Sequence, residues 1–319
     1  MAHNTKNTLT YYKKYDDVSA MIRTSKNGTL LIEYLMAIRV HHWPKNMLVF
    51  LPVLTGHLVN IENFSILLVL FFSLSFAASG MYLVNDLLDI ENDKKHPTKK
   101  FRAIASGSFS PKTAKIISLL HITIGLLSAF ALSFYAGILI LLYVVLVGAY
   151  SLYFKSVPFF DAFFLTLLYM LRIYIGLTVI DYSTMSQAAV IFSFFFFFFL
   201  VLVKRQTELL LFVNSFEDNP TGRGYRMVNI NLIRSLMVVS ALIALVVLGL
   251  YISSPKVQAL YTSPTYLWAV EFSCLLWCAN VIGCVQKGKM HNDPIVFTFT
   301  NKTSLALFFI SIFFILLSL

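Results

Sequence analysis

Residues 85–102 read Asn85-Asp86-Leu87-Leu88-Asp89-Ile90-Glu91-Asn92-Asp93-Lys94-Lys95-His96-Pro97-Thr98-Lys99-Lys100-Phe101-Arg102, four acidic residues followed by five basic ones. If the preceding apolar run continues as a helix, Asp86, Asp89 and Asp93 project from one face. Three carboxylates on one face repel one another, so the pattern predicts a divalent cation, Mg²⁺, that bridges to a phosphorylated ligand. The alternative is a charged stop at the end of a membrane helix, but a stop needs Lys and Arg rather than three aligned Asp.

The composition of the whole chain is typical of a membrane protein. Hydrophobic residues make up 58% of the 319 positions and charged residues only 13%, about half the charged fraction of a soluble domain. The apolar residues form repeated blocks of roughly 17 to 25 residues, the length of a helix that crosses the hydrocarbon core. The predicted fold class is therefore all-α, a polytopic helical membrane protein.

Apolar blocks separated by polar or helix-breaking residues predict nine membrane spans. They cover 46–60, 64–86, 114–133, 136–153, 159–180, 186–206, 233–252, 265–285 and 303–319. The first is the weakest, because Pro44 and Pro52 interrupt it. Residues 1–30 are expected to form a polar cytoplasmic segment ahead of a transmembrane domain over 31–319. We expect no signal peptide, since no apolar run precedes a small-residue cleavage site.

The basic residues support one orientation of these spans. With the N-terminus in the cytoplasm, only Lys256 of the 25 Lys and Arg lies outside and only Arg172 lies mid-span, as the positive-inside rule requires. We therefore expect an integral protein of the cell (inner) membrane with a cytoplasmic active site. The net charge of +10 would attract a polyanionic substrate or anionic lipid to that face. Nucleic acid is not an expected partner, because the basic residues are not interleaved with aromatic residues on a soluble domain.

Four further polar clusters fall on the same predicted face. They cover residues 39–46, 150–155, 204–208 and 289–294. In the first, Arg39 and Lys45 are either a phosphate clamp or interfacial anchors. Lys155, taken alone, is typical of an interface anchor. Lys204 and Glu208 are one turn apart and could simply pair, but their place on the same face as the other clusters favours a function. The last cluster is interpreted as a loop.

Asp161 and Arg172 are ionisable residues inside the predicted fifth span, and such residues mark a pathway or a site by default. They are eleven residues apart, about three helical turns, so they point in similar directions without touching. Arg172 lies deeper and is the better candidate. Cys274, Cys278 and Cys284 lie on one late apolar segment that no His joins, so neither metal binding nor redox use is expected there.

Together these motifs resemble the UbiA superfamily of intramembrane prenyltransferases, and within it the decaprenyl-phosphate phosphoribosyltransferase branch. The resemblance rests on Arg39-x-x-His42-Trp43-x-Lys45-Asn46 and on Asn85-Asp86-x-x-Asp89-x-x-x-Asp93-x-x-His96-Pro97-x-Lys99-x-x-Arg102-x-Ile104-Ala105-x-Gly107. Aromatic prenyltransferases of the superfamily carry a second Asp-rich motif after the sixth helix. Here Lys204-Arg205-x-x-Glu208 stands in its place, which is similar to the phosphoribosyl branch. Ala103 departs from the family pattern, which has Pro.

The resemblance implies a nine-helix UbiA-like bundle with a central cavity open to the cytoplasm and to lipid. It implies a glycosyltransferase that moves phosphoribose from 5-phosphoribosyl 1-pyrophosphate to a polyprenyl phosphate, with Mg²⁺ as cofactor. The implied metal ligands are Asp86, Asp89 and Asp93, and the implied catalytic residues are these three with Lys204 and Glu208. The implied substrate-binding residues are Arg39, His42, Lys45, Asn46, Asn85, Lys99, Arg102, Tyr150, Lys155, Arg172 and Arg205.

Three alternatives stay open at this point. A UbiA-type aromatic prenyltransferase, acting on 4-hydroxybenzoate or another quinone or haem precursor, is disfavoured by residues 204–208. A transporter would use Asp161 and Arg172 as a pathway, but no Gly- or Pro-broken helices occupy corresponding halves. A scaffold without chemistry leaves the three aligned Asp unexplained. Prenyl chain length, pathway, oligomeric state (a homo-oligomer included) and any role of His291 and Asp293 are not determined by the sequence.

Overall fold

The structure of the protein is a computed structural model that describes residues 29–95, 99–180, 186–213, 224–290 and 294–319. Within these ranges the regular elements are all helical, which confirms the predicted all-α class. Residues 1–28, His96, Pro97, His291 and Asp293 lie outside the described residues, so the predictions made for them are not addressed below.

The described α-helices follow one another along the chain. They are α1 (Thr29–Ala37), α2 (Leu51–Thr55), α3 (Ile61–Leu88), α4 (Ile90–Lys95), α5 (Pro111–Leu132), α6 (Phe134–Leu152), α7 (Phe160–Leu177), α8 (Gln187–Val213), α9 (Ile230–Ile252), α10 (Pro255–Leu260), α11 (Leu267–Gln286), α12 (Pro294–Thr300) and α13 (Lys302–Ser318). Segments of 3₁₀-helix lie at Val40–Phe50, Lys99–Phe101, Phe154–Ser156, Met227–Asn229 and Pro264–Tyr266.

Seven helices in the described part of the chain are long and apolar enough to cross a membrane, so the predicted count of nine spans is not confirmed. They are α3, α5, α6, α7, α8, α9 and α11. The predicted first span, 46–60, is instead the end of the 3₁₀ segment and the five-residue helix α2. Pro44 lies inside that segment and Pro52 at the start of α2, and each removes a backbone donor that a long α-helix needs. The predicted ninth span is α13, a shorter apolar helix of 17 residues.

The described residues divide into two compact units. The first falls within Met1–Met47 and Phe71–Ala129. In it, the second half of α3 packs closely against α5 through small residues. A Cβ added to Gly80 would lie 2.7 Å from the Ser118 carbonyl oxygen, and the Ser73 and Ser128 hydroxyls are 2.8 Å apart. Small and hydroxyl residues let membrane helices approach to this distance.

The 3₁₀ segment that begins at Val40 is also tied to α3 within the first unit. Trp43 Nε1 donates to Ser79 Oγ at 3.0 Å, and Asn46 Nδ2 donates to Ser75 Oγ at 3.0 Å. Ser79 Oγ in turn donates to the Ile38 carbonyl oxygen at 2.8 Å. These hydrogen bonds satisfy polar groups inside an apolar core and hold the chain after α1 along the helix that ends in the acidic stretch.

The second unit comprises Leu48–Leu70 and Phe130–Leu319. Its core forms around α8, which packs against α7, α9 and α11. Fully buried residues of this core include Phe199, Leu202, Ile233, Met237 and Val281. The α8 helix thereby carries the polar residues at 204–208 out of a tightly packed apolar segment.

Gly176 of α7 lies where that helix meets the 3₁₀ segment, and a Cβ added there would clash with the Val49 carbonyl oxygen. Because a backbone atom cannot rotate away, Gly176→Ala is expected to destabilise the protein by about 1–3 kcal/mol, seen as a lower melting temperature in detergent. The matched control is Gly283→Ala in α11, where nothing lies within 4 Å of the added Cβ and Ala favours the helix. Equal melting temperatures for the two variants would contradict this packing.

Candidate active site

Two buried carboxylates and two partly buried guanidinium groups form a cluster at the end of α3. Asp86 and Asp93, called here the acidic pair, are 6% and 3% exposed. Arg102 Nη1 lies 2.7 Å from Asp93 Oδ2 and 3.1 Å from Asp86 Oδ1, and Arg39 Nη2 donates to the same Asp86 oxygen. These ion pairs neutralise both carboxylates inside the protein, where an unpaired charge is strongly unfavourable.

Helical geometry brings the acidic pair to one face. The Asp89 N–H donates to the Asn85 carbonyl oxygen at 3.0 Å and the Asp93 N–H to the Asp89 carbonyl oxygen at 2.8 Å. The hydrogen-bond ladder therefore continues across the junction between α3 and α4, and Asp86 and Asp93 lie about two turns apart. Asp89 lies half-buried at the junction and has contacts of its own.

Arg102 reaches the acidic pair from the loop between α4 and α5. Its N–H donates to the Lys99 carbonyl oxygen at 2.9 Å, and its carbonyl oxygen accepts from the Ser106 N–H at 2.8 Å. The loop then turns at Gly107, whose φ of 80° favours glycine. Local turn geometry thus fixes the backbone of Arg102, while its long side chain spans to both carboxylates.

Arg39 lies between α1 and the 3₁₀ segment, and its φ of 54° is in the left-handed region, a strained conformation for a residue with a side chain. Its guanidinium carbon is 5.0 Å from the Tyr82 ring centroid, a cation–π distance. The His42 ring packs against the same tyrosine at 5.5 Å between centroids. Tyr82 was not among the predicted site residues; its position one turn before Asp86 is the pattern that would have pointed to it.

The acidic pair suits Mg²⁺ by its chemistry. One nitrogen of Arg102 bonds an oxygen of each carboxylate, so both oxygens already face one cationic group. Among the described residues, no group of three or more His, Cys, Asp and Glu is arranged to hold a metal. Mg²⁺ is commonly held by one or two carboxylates together with waters and substrate phosphates, so Asp86 and Asp93 fit a metal that a phosphorylated ligand completes.

A second buried charge cluster forms in the second unit around Arg205, which is 1% exposed. Arg205 Nε lies 2.7 Å from Asp161 Oδ2, and its Nη1 donates to Glu208 Oε2. Tyr225 donates to Asp161 Oδ1 at 2.6 Å and accepts from the Phe159 N–H at 2.8 Å. Burial, and then the charge of Asp161, raise the pKa of Tyr225, so its hydroxyl stays protonated and donates.

This cluster changes the interpretation of residues 204–208. Helical spacing allows Glu208 to pair with Lys204, and the structure shows that Arg205 donates to Glu208 directly. The Arg205 charge is matched by two carboxylates in a closed environment, so a substrate contact through Arg205 would require this network to open. Asp161, which is bound by Arg205 and Tyr225, does not meet Arg172, in agreement with the predicted separation. Neither Asp161 nor Tyr225 was predicted as part of a site with Arg205.

Arg172 lies in a separate aromatic environment within the second unit. Its Nη2 donates to the Tyr143 hydroxyl at 3.0 Å and its Nη1 to the Leu168 carbonyl oxygen at 2.5 Å. The guanidinium carbon is 5.1 Å from the Tyr143 ring centroid and 5.2 Å from that of Tyr169. These contacts stabilise a charge within a membrane-spanning helix.

The other predicted site residues divide between the two units. Asn46 is buried, and its side-chain amide donates a hydrogen bond to Ser75, a contact that links the 3₁₀ segment to α3. The half-buried ones in the first unit are Lys45, Asn85 and Lys99, and those in the second unit are Tyr150, Lys155 and Lys204. Their predicted contacts with substrate stay predictions.

Comparison with known proteins identifies the family. The model of the UbiA prenyltransferase family matches residues 48–313. The chain belongs to the UbiA prenyltransferase family. This membership, with seven apolar helices in the described residues, makes the protein a transferase of an integral membrane family and confirms the resemblance at that level. A UbiA homologue from Archaeoglobus fulgidus solved with DMAPP and Mg²⁺ has the same fold, with a TM-score of 0.65 at 14% identity over 89% of this chain and 96% of that one.

Several curated proteins are similar in sequence. Protein y4nM of Sinorhizobium fredii is 31% identical over 85% of this chain, which spans about half (53%) of the length of y4nM. Nodulation protein NoeC of Azorhizobium caulinodans is 27% identical over 85% of this chain and 88% of its own length. The decaprenyl-phosphate phosphoribosyltransferase of Corynebacterium glutamicum is 33% identical over 149 residues, 44% of each chain. Similarity to the phosphoribosyltransferase is therefore partial.

Removal of one charge from the Arg205 cluster should destabilise this UbiA-family protein. Asp161→Asn leaves part of the Arg205 charge unmatched, and breaking a buried ion pair in this way costs about 3–5 kcal/mol. Tyr225→Phe removes only the hydroxyl that donates to the Asp161 carboxylate. This change is expected to lower the free energy of unfolding by about 1–3 kcal/mol. Thermal unfolding in detergent should rank wild type above Tyr225→Phe and Tyr225→Phe above Asp161→Asn; a wild-type melting temperature for Asp161→Asn would refute the structural role.

Proposed function

We propose that this UbiA-family protein transfers 5-phosphoribose from 5-phosphoribosyl 1-pyrophosphate to a polyprenyl phosphate of the decaprenyl type, with release of pyrophosphate. We further propose that the reaction takes place at the cytoplasmic face of the cell (inner) membrane, a placement of the acidic stretch that the Lys and Arg distribution favours. The observation that carries the proposal is the acidic pair with its shared arginine, because it offers carboxylates for a metal beside donors for phosphate.

The choice of a sugar donor rests on two further observations. Partial relatives named decaprenyl-phosphate phosphoribosyltransferase share 33% identity over 149 residues and 40% over 95 residues with this chain. In addition, the resemblance to the superfamily aligns Lys204-Arg205-x-x-Glu208 with the second Asp-rich motif of its aromatic prenyltransferases. The predicted roles of Lys204 and Glu208 in binding the donor belong to this part of the proposal.

The proposed reaction needs positioning and charge stabilisation more than acid–base catalysis. The bond between the anomeric carbon and the pyrophosphate oxygen breaks, and a bond from that carbon to an oxygen of the lipid phosphate forms. The lipid phosphate is already an anion, so no strong general base is required. Asp86 and Asp93, with Asp89 as the predicted third ligand, would hold Mg²⁺, which when bound neutralises charge on the leaving pyrophosphate.

Arg39 and Arg102 are suited to bind the phosphate oxygens of the same donor. Each guanidinium presents several N–H donors in a fixed plane, which matches phosphate geometry. Because the leaving group gains charge as the bond breaks, donors placed beforehand stabilise the transition state more than the ground state.

The decisive test of the substrates uses the purified full chain. Incubation with 5-phosphoribosyl 1-pyrophosphate, Mg²⁺ and a polyprenyl phosphate should yield a lipid-linked phosphoribose by mass spectrometry, together with pyrophosphate. A parallel reaction with a prenyl diphosphate and 4-hydroxybenzoate should yield no prenylated product. Product only in the second reaction would replace the proposal with an aromatic prenyltransferase.

Asp93→Asn should abolish Mg²⁺-dependent pyrophosphate release, with a fall in rate of at least about 100-fold, because the neutral amide is a poor ligand for the metal. The matched control is Glu91→Gln, since Glu91 lies two residues away on α4, is exposed and forms an ion pair with Lys94 on the same helix. Its rate should stay within about twofold of wild type. Melting curves establish that both variants fold, and wild-type activity in Asp93→Asn would rule out its role as a metal ligand.

A further inference from the structure

We propose that Arg102 is a substitute cation for the acidic pair, so that a divalent metal binds tightly only when a pyrophosphate group draws Arg102 away from the carboxylates. The inference rests on the proposed function, because it takes Asp86 and Asp93 as metal ligands. It adds a coupling between the two ligands: the metal and the phosphorylated donor bind tightly together, and each alone binds weakly.

The position of Arg102 carries the argument. Its Nη1 lies 2.7 Å from Asp93 Oδ2 and 3.1 Å from Asp86 Oδ1. A metal shared by these two oxygens would occupy the same space between the carboxylates as that nitrogen. The guanidinium and the metal therefore compete for one position, and Arg102 must change partners before the cation can bind.

Charge balance makes the competition strong. The acidic pair forms ion pairs with Arg39 and Arg102, two positive groups for two carboxylates. A divalent cation added to this balanced, buried group would leave an excess of positive charge, which a weakly polar environment penalises. A pyrophosphate group supplies the missing negative charge and gives the displaced guanidinium new acceptors.

Arg102 is better suited to move than Arg39. The Arg102 side chain is 28% exposed and comes from a loop, whereas Arg39 is 15% exposed and also packs on the Tyr82 ring. Arginine can exchange a carboxylate for a phosphate with little change in its own geometry, because both acceptors fit its planar set of donors.

The test measures metal binding rather than turnover. Mn²⁺, a spectroscopic substitute for Mg²⁺ at oxygen ligands, is titrated into the purified full chain without pyrophosphate and followed by electron paramagnetic resonance. Arg102→Gln should bind Mn²⁺ at least about tenfold more tightly than wild type, a coupling of ordinary size for linked sites. Arg102→Lys, which keeps the charge, should stay closer to wild type.

Lys100→Gln is the matched control for net charge, since Lys100 is in the same loop but lies over the Phe101 ring, 5.1 Å from its centroid. It should change Mn²⁺ affinity by less than about twofold. Equal tightening in Arg102→Gln and Lys100→Gln, or none in Arg102→Gln, would overturn the substitute-cation proposal.

A second experiment distinguishes failure of this inference from failure of the proposed metal site. Addition of Asp93→Asn to Arg102→Gln should remove the tightened Mn²⁺ binding. If the double variant binds Mn²⁺ as tightly as Arg102→Gln, Asp93 is not a ligand, and the proposed function loses its metal assignment. Retention of radiolabelled inorganic pyrophosphate gives the reciprocal measurement: with Mn²⁺ present, wild type should retain it at least about tenfold better than without the metal.

Discussion

The acidic pair of Asp86 and Asp93 depends on the arginines that lie against it. A carboxylate inside an apolar protein loses most of its hydration, and hydrogen-bonded ion pairs are what make its charged form tolerable. Arg102 bonds both members of the pair and Arg39 bonds one of them. One charge requirement thus holds together the segment after α1, the end of α3 and the loop after α4, and presents carboxylates beside phosphate donors.

In the second unit, buried charges are likewise neutralised by ion pairs, but the arginine there is almost completely buried. Arg205 is buried between Asp161 and Glu208, and Tyr225 supplies a further hydrogen bond to Asp161. Such a network is expensive to disturb, because any single loss leaves a buried charge unmatched. The partly exposed Arg102 differs in this respect. Its cluster suits an exchange of partners during a binding event, whereas the Arg205 cluster suits the fixed placement of helix α8 against α7.

Much of the fold could be predicted from local pattern, and the failures have physical causes. The apolar block at 64–86 corresponds to α3, Ile61–Leu88, and the all-helical class followed from such blocks. The prediction of a membrane span at 46–60 was not confirmed, because hydrophobicity alone does not account for the backbone donors lost at Pro44 and Pro52. The contact of Arg205 with Glu208 also escaped prediction, since helical spacing places both Lys204 and Arg205 within reach of Glu208, at i−4 and i−3, and the spacing alone does not say that Arg205 donates to it.

The sequence by itself determined the membrane class, most helix positions, the spacing that puts Asp86 and Asp93 on one face, and the motifs of the UbiA family. These features depend on residues close together in the chain, where helical periodicity relates position to direction. Tertiary structure alone decided which groups stabilise each buried carboxylate: Arg39 forms an ion pair with Asp86 across 47 residues, and the Tyr225 hydroxyl donates to Asp161 across 64. The reason is that desolvation selects pairs by their distance in the folded protein, and that distance is not encoded in any local spacing.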